Sequence, residues 1–198
     1  MEKKNFFSAK NVAMLGILLA LVIVLQAVGG TVTIGLVSLN FTLIPIVLGA
    51  ILLGPLAGAF LGFACGFVVL IQVIAATNGF YFILWSNSPL VTLATCLIKT
   101  TLAGLVGGYL FKWLEKKNKY VAVFVASGAV PVINTAVFIL GCLAMWDTIA
   151  LVAGGTNVFM FIIVSLVTFN FFIELAINLL VAPGLHTVYR VTEKRFKK

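Results

Sequence analysis

One run of sequence, Ser88 to Lys119 (SPLVTLATCLIKTTLAGLVGGYLFKWLEKKNK), limits the choice of fold more than any other. It opens on a Ser-Pro helix start, stays apolar for about twenty residues, the length that crosses a bilayer core, and closes on Lys112, Trp113, Glu115, Lys116, Lys117 and Lys119. The pattern predicts a membrane-spanning helix with its cytoplasmic end attached. Lys99 stands in the middle of that helix. An ammonium at such a depth costs about 2.5–3.5 kcal/mol on insertion scales, so it is expected to face a bundle interior and to meet a partner or a ligand there.

The rest of the chain is of the same kind. Of its 198 residues, 63% are hydrophobic and 9% charged, and the mean hydropathy is +1.23. Such a composition excludes a soluble domain with a polar shell and makes the lipid bilayer the chain's solvent. The formal net charge of +8 does not point to nucleic acid. Lys3, Lys4, Lys10, the cluster from Lys112 to Lys119 and the tail from Arg190 to Lys198 all flank apolar spans, which is where positive-inside anchors belong. Cys65, Cys96 and Cys142 are far apart and lie inside apolar runs, so they read as small packing residues, without disulfide or metal.

Six spans are predicted, at about 11–28, 41–53, 56–75, 89–112, 120–146 and 158–182, forming one six-helix membrane domain over 1–198 and an all-α integral membrane protein. The basic start and first span also fit a cleaved signal peptide, but the apolar stretch exceeds the roughly 7–15 residues of a signal core. The connections 31–40, 76–87 and 147–157 carry no Lys or Arg and are expected outside, with both termini and every basic cluster cytoplasmic. The segment 31–40 alternates β-branched and small polar residues, as an ordered outer loop or a short extended cap does. Gly54-Pro55 marks a tight inner turn, and Pro183-Gly184 the end of the sixth span. Glycines at 54, 58, 62 and 66 share one helical face and let another backbone approach, either within the bundle or, through Gly58 and Gly62, from a second protein.

Four polar residues from three spans share the midplane. At about 1.5 Å per residue, Lys99 lies roughly 15 Å below the outer end of its helix, Asn134 roughly 17 Å and Asn170 roughly 18 Å, with Glu174 one turn deeper. Asn170, Glu174 and Asn178 recur every four residues and form a polar stripe. Two readings follow. In one, Glu174 and Lys99 neutralise each other and the asparagines complete a buried cluster that fixes helix register. In the other, Lys99, Asn134 and Asn170 floor a pocket open to the outside, and Glu174 holds the lysine from below. Above that floor stand Gln26, Asn40, Gln72, Asn78, Tyr81, Trp85 and Asn87, uncharged amides and aromatics suited to a small organic molecule whose anionic end reaches Lys99.

The chain has no GxxxxGK[ST] loop for ATP, no GxSxG or HExxH, and a single histidine, His186, just past the last span. No enzyme chemistry, metal or cofactor is implied by these residues.

The order of segments resembles the substrate-binding (S) components of bacterial energy-coupling factor (ECF) vitamin transporters. The match runs through FTLIPIVLGAILLGPLAGAFLGFACGF in the second and third spans, the lysine-bearing fourth span, PVINTAVFILG in the fifth and FNFFIELAINLLVAP in the sixth. The resemblance implies a plasma-membrane protein that captures a vitamin from outside. It would then dock on a transmembrane coupling subunit driven by two cytoplasmic ATPases. Small residues four apart on the first helix make that contact in the family; here Gly16 and Ala20 are the clearest pair, with Ala13 one spacing from Ala9. The lysine of the fourth span and the PVINT and NFFIEL segments look most like members handling pantothenate, with riboflavin or folate as alternatives. Readings of other classes are an assembly protein with a register-fixing polar cluster and a proton-coupled carrier using Glu174.

Overall fold

The computed structural model describes residues 8–29, 33–34, 36–77 and 79–196. Lys3, Lys4, Asn78, Lys197 and Lys198, and part of the connection 31–40, lie outside the described residues. The order is α1 (Ala9–Gly29), a hairpin of β1 (Thr33–Ile34) and β2 (Val37–Ser38), α2 (Leu43–Leu53), α3 (Pro55–Ile74), α4 (Gly79–Asn87), α5 (Pro89–Leu114), α6 (Lys119–Ala144), α7 (Trp146–Ala153), the single turn α8 (Val158–Met160), a π-helical segment π1 (Phe161–Thr168) and α9 (Phe169–Phe196). Two ends can be told apart. The hairpin, α4 and α7 mark one; Lys112, Lys116, Lys117, Lys119 and Lys194 mark the other, the basic end.

Five helical stretches are long and apolar enough to cross a membrane: Ala9–Gly29, Pro55–Ile74, Pro89–Leu114, Lys119–Ala144 and Val158–Lys194. Leu180 is 79% exposed and Ile17 71%; side chains this apolar and this bare are at home in lipid. The span expected at 41–53 is the 11-residue helix α2, about 16 Å long against a core of about 30 Å. Leu43, Pro45, Ile46, Val47, Gly49, Ala50 and Ile51 are all buried, so α2 is a core helix enclosed by its neighbours.

Other boundaries also depart from expectation. The connections 76–87 and 147–157 contain the short helices α4 and α7, whose Phe80, Leu84 and Ile149 join Cys142, Met145, Ile162, Leu166 and Val167 in a separate apolar cluster. The last helix does not stop at Pro183-Gly184 but continues to Phe196. Contacts beyond the proline hold it. Tyr189 packs edge-on against Phe111 at 5.2 Å, and Lys119 Nζ donates to both Glu193 carboxylate oxygens at 2.7 Å.

Between α2 and α3, Gly54 takes φ +103, a conformation that favours glycine, while Pro55 occupies the first turn of α3, where its missing N–H costs nothing. From there α3 lies along α5. A Cβ on Gly58 would stand 2.6 Å from Gly104 O, and one on Gly62 2.6 Å from the Thr100 carbonyl carbon. The two backbones therefore touch, and Thr100 Oγ1 donates to Gly62 O at 2.6 Å. This contact fixes the rotation of α5: Thr100, Ala103 and Gly104 are spent on the interior, while Thr92, Thr95, Cys96 and Lys99 line up on an adjoining face.

Candidate functional site

Lys99 sits at the junction of two small cavities. The polar one, about 30 Å³, is lined by Val37 and Ser38 of β2, Asn40, Lys99, Asn134, Thr135 and Phe138 of α6, Leu166 and Val167 of π1, and Asn170, Phe171 and Glu174 of α9. The apolar one, also about 30 Å³, shares Val37, Lys99 and Phe138 and adds Val69, Val73, Tyr81, Leu84, Thr92, Thr95, Cys96 and Met145. Each has room for a water-sized group, so an organic ligand requires the cavity walls to move apart. A larger groove of about 410 Å³ opens at the basic end beside Gly54, Phe111, Lys112 and Tyr189. It contains none of the midplane polar residues, and its Glu115 already accepts from Tyr189 Oη at 3.2 Å.

Local structure explains what points inward. In α9 the spacing of four puts Asn170, Glu174 and Asn178 on one face, and all three are buried. Upstream, π1 widens the helix, with Thr168 Oγ1 donating to Ile163 O at 2.7 Å, and brings Leu166 and Val167 onto the cavity wall next to Asn170. In α6, Asn134 and Phe138 are one turn apart on the same face.

The electrostatics differ from both sequence readings. Glu174 and Lys99 line the same cavity, but among the described residues they form no ion pair, and Glu174 Oε1 accepts the backbone N–H of Asn40 at 2.9 Å. Lys99 Nζ lies 5.4 Å from the centroid of the Phe138 ring, a cation–π contact. No hydrogen-bond acceptor reaches the ammonium among the described residues. Asn134 is only 5% exposed, yet its Oδ1 has no partner there either. A cavity wall carrying a cation and an unsatisfied amide can bind an anion and a hydrogen-bond donor together.

Of the other expected site residues, Asn40 and Tyr81 line the cavities, and Tyr81 Oη donates to Ser38 Oγ at 3.2 Å, tying α4 to the hairpin. Gln72, Trp85 and Asn87 do not line them. Gln72 pairs with Gln26 of α1, Trp85 packs against the main apolar core, and Asn87 is exposed, donating to Ile83 O of its own helix. Asn78 lies outside the described residues. Sequence reasoning missed Ser38, Thr135 and Phe138; the last stands four residues from Asn134, the spacing that would have revealed it.

A family model described as "ECF transporter, substrate-specific component" matches residues 10–186 of this lysine-centred helical bundle. The chain belongs to that family. No curated protein matches it. This substrate-specific component is thus the substrate-binding subunit of a transporter, a multi-pass membrane protein and not an enzyme. Its α1 buries only Leu18, Val22, Gln26 and Gly29, while Ala13, Gly16 and Ala20 are exposed. Gly58 and Gly62 pack against α5, as the close approaches of their Cβ positions to Gly104 and Thr100 show, which matches the reading of the glycine face as contact within the bundle.

Proposed function

We propose that this substrate-specific component captures a small anionic water-soluble vitamin, pantothenate, at the Lys99 cavity. The observation that carries this reading is the Lys99 ammonium, which lines a buried polar cavity and, among the described residues, meets the Phe138 ring but no hydrogen-bond acceptor or ion-pair partner. Leaving it so costs about 2.5–3.5 kcal/mol in a membrane; an arriving carboxylate recovers about 1.5–3 kcal/mol through charged hydrogen bonds. The amides of Asn134 and Asn170 then take the hydroxyls and the amide of the vitamin, while the apolar lobe takes its methyl groups. Equilibrium binding to the purified protein of pantothenate, its alcohol analogue pantothenol, riboflavin and folate tests the reading. Pantothenate is expected to bind tightest and at submicromolar Kd; failure of every vitamin at micromolar concentration defeats it.

Delivery inward is assigned to a transmembrane coupling subunit and two cytoplasmic ATPases, with both termini of this chain cytoplasmic and the protein in a bacterial plasma membrane. The basic clusters at one end and the Lys- and Arg-free connections at the other support that orientation. The exposed small residues of α1 support docking there, since a Cβ on Gly16 meets nothing within 4 Å. Gly16→Leu and Ala20→Leu are expected to lower vitamin uptake in cells at least about tenfold, as loss of an interface hot spot does, while leaving the affinity of the isolated protein unchanged. Unaltered uptake would move the docking face elsewhere.

A further inference from the structure

A line of buried and half-buried polar side chains runs from α1 to Glu174. Gln26 Nε2 donates to Gln72 Oε1 at 3.0 Å, and Gln72 Nε2 returns a bond to Gln26 O at 3.1 Å. Cys65 Sγ is 3.7 Å from Gln26 Oε1 and 2.9 Å from Thr42 Oγ1. The Thr42 hydroxyl donates to Asn40 Oδ1, and Asn40 N–H donates to Glu174 Oε1 at 2.9 Å. A hydroxyl has one hydrogen, and with that of Thr42 on Asn40, Thr42 Oγ1 can only accept from Cys65, whose single hydrogen is also within reach of Gln26 Oε1. Thr42 and Cys65 are fully buried.

The chain ends on the carboxylate that the sequence pairs with Lys99. Both residues line the same cavity, and opposite charges in so apolar a setting attract strongly. The carboxylate is nevertheless spent on a backbone N–H. Resting on the reading that Lys99 receives an anion, we propose that Thr42 is a positioning residue. By clamping the Asn40 side chain it aims the Asn40 N–H at Glu174, keeps that carboxylate off Lys99, and thereby sets the site's preference for an anionic over a neutral ligand. Release of the clamp turns Glu174 into an internal competitor for the lysine.

Thr42 makes no side-chain capping bond to α2, so removing its hydroxyl leaves the helix start intact. The test measures pantothenate and pantothenol affinities for wild type, Thr42→Val, Thr42→Ser, Lys99→Met and Thr42→Val/Glu174→Gln, with Thr42→Ala in place of the valine if that variant does not fold. Thr42→Val is expected to weaken pantothenate about tenfold, the scale of one lost hydrogen bond, and pantothenol less than about twofold. Thr42→Ser keeps wild-type selectivity, and Glu174→Gln added to Thr42→Val restores pantothenate binding. Equal weakening of both ligands, or no rescue by Glu174→Gln, overturns the proposal while leaving Lys99 as the anion site. A Lys99→Met protein that still prefers pantothenate removes the reading beneath it, and the proposal with it.

Discussion

Replacing Lys99 by Met lowers pantothenate affinity by about a hundredfold, the upper range for loss of a charged hydrogen bond, and changes pantothenol affinity by less than about threefold. The asymmetry follows from what surrounds the ammonium. Phe138 presents a ring face at 5.4 Å, and no carboxylate of the described residues pairs with it, so an incoming anion is the group that gains most from the charge. A methionine fills nearly the same space without the cost of a cation at mid-membrane, so the variant is expected to be at least as stable as wild type in a thermal-shift assay. Lost binding with retained Tm is therefore the signature. If pantothenate binds the Met variant as tightly as wild type, Lys99 is no part of the site.

The largest effect on stability is expected at Gly62. Its Cβ position is 2.6 Å from the Thr100 carbonyl carbon and 2.9 Å from Thr101 N, and both are backbone atoms of a helix that cannot step aside locally. Gly62→Val therefore separates α3 from α5, breaks the Thr100–Gly62 bond and costs about 3 kcal/mol or more, a fall of about 10 °C in Tm. Because the same contact sets the rotation of α5, the surviving folded fraction also binds ligand poorly. Gly16→Val on α1, where no atom stands within 4 Å, is the control and leaves Tm within about 1 °C. An unchanged Tm for Gly62→Val would mean that α3 and α5 are not in backbone contact.

Much of this was legible in the residues. A lysine inside an apolar helix and a stripe of Asn170, Glu174 and Asn178 at a spacing of four mark out the buried polar cluster because a membrane leaves polar groups few places to go. Partner assignment was not legible. The Lys99–Glu174 pair is the natural choice on charge alone, but the hairpin brings Asn40 N–H to Glu174 from 134 positions away, and no local pattern encodes that meeting. The π-helical turn has the apolar content of an ordinary span. α4 and α7 are too short to declare themselves, and their apolar faces are used on each other and on π1. Pro183 carries a strong stop signal; the tertiary contacts of Tyr189 and Glu193 override it.

The most direct measurement is the identity of the molecule that travels with the protein: purify it in mild detergent from cells grown in rich medium, denature it, and analyse the released small molecules by mass spectrometry. The account predicts one anionic vitamin-sized compound per protein, pantothenate, absent from a parallel Lys99→Met preparation. A compound without an acidic group, or one released equally by the Met variant, would contradict it.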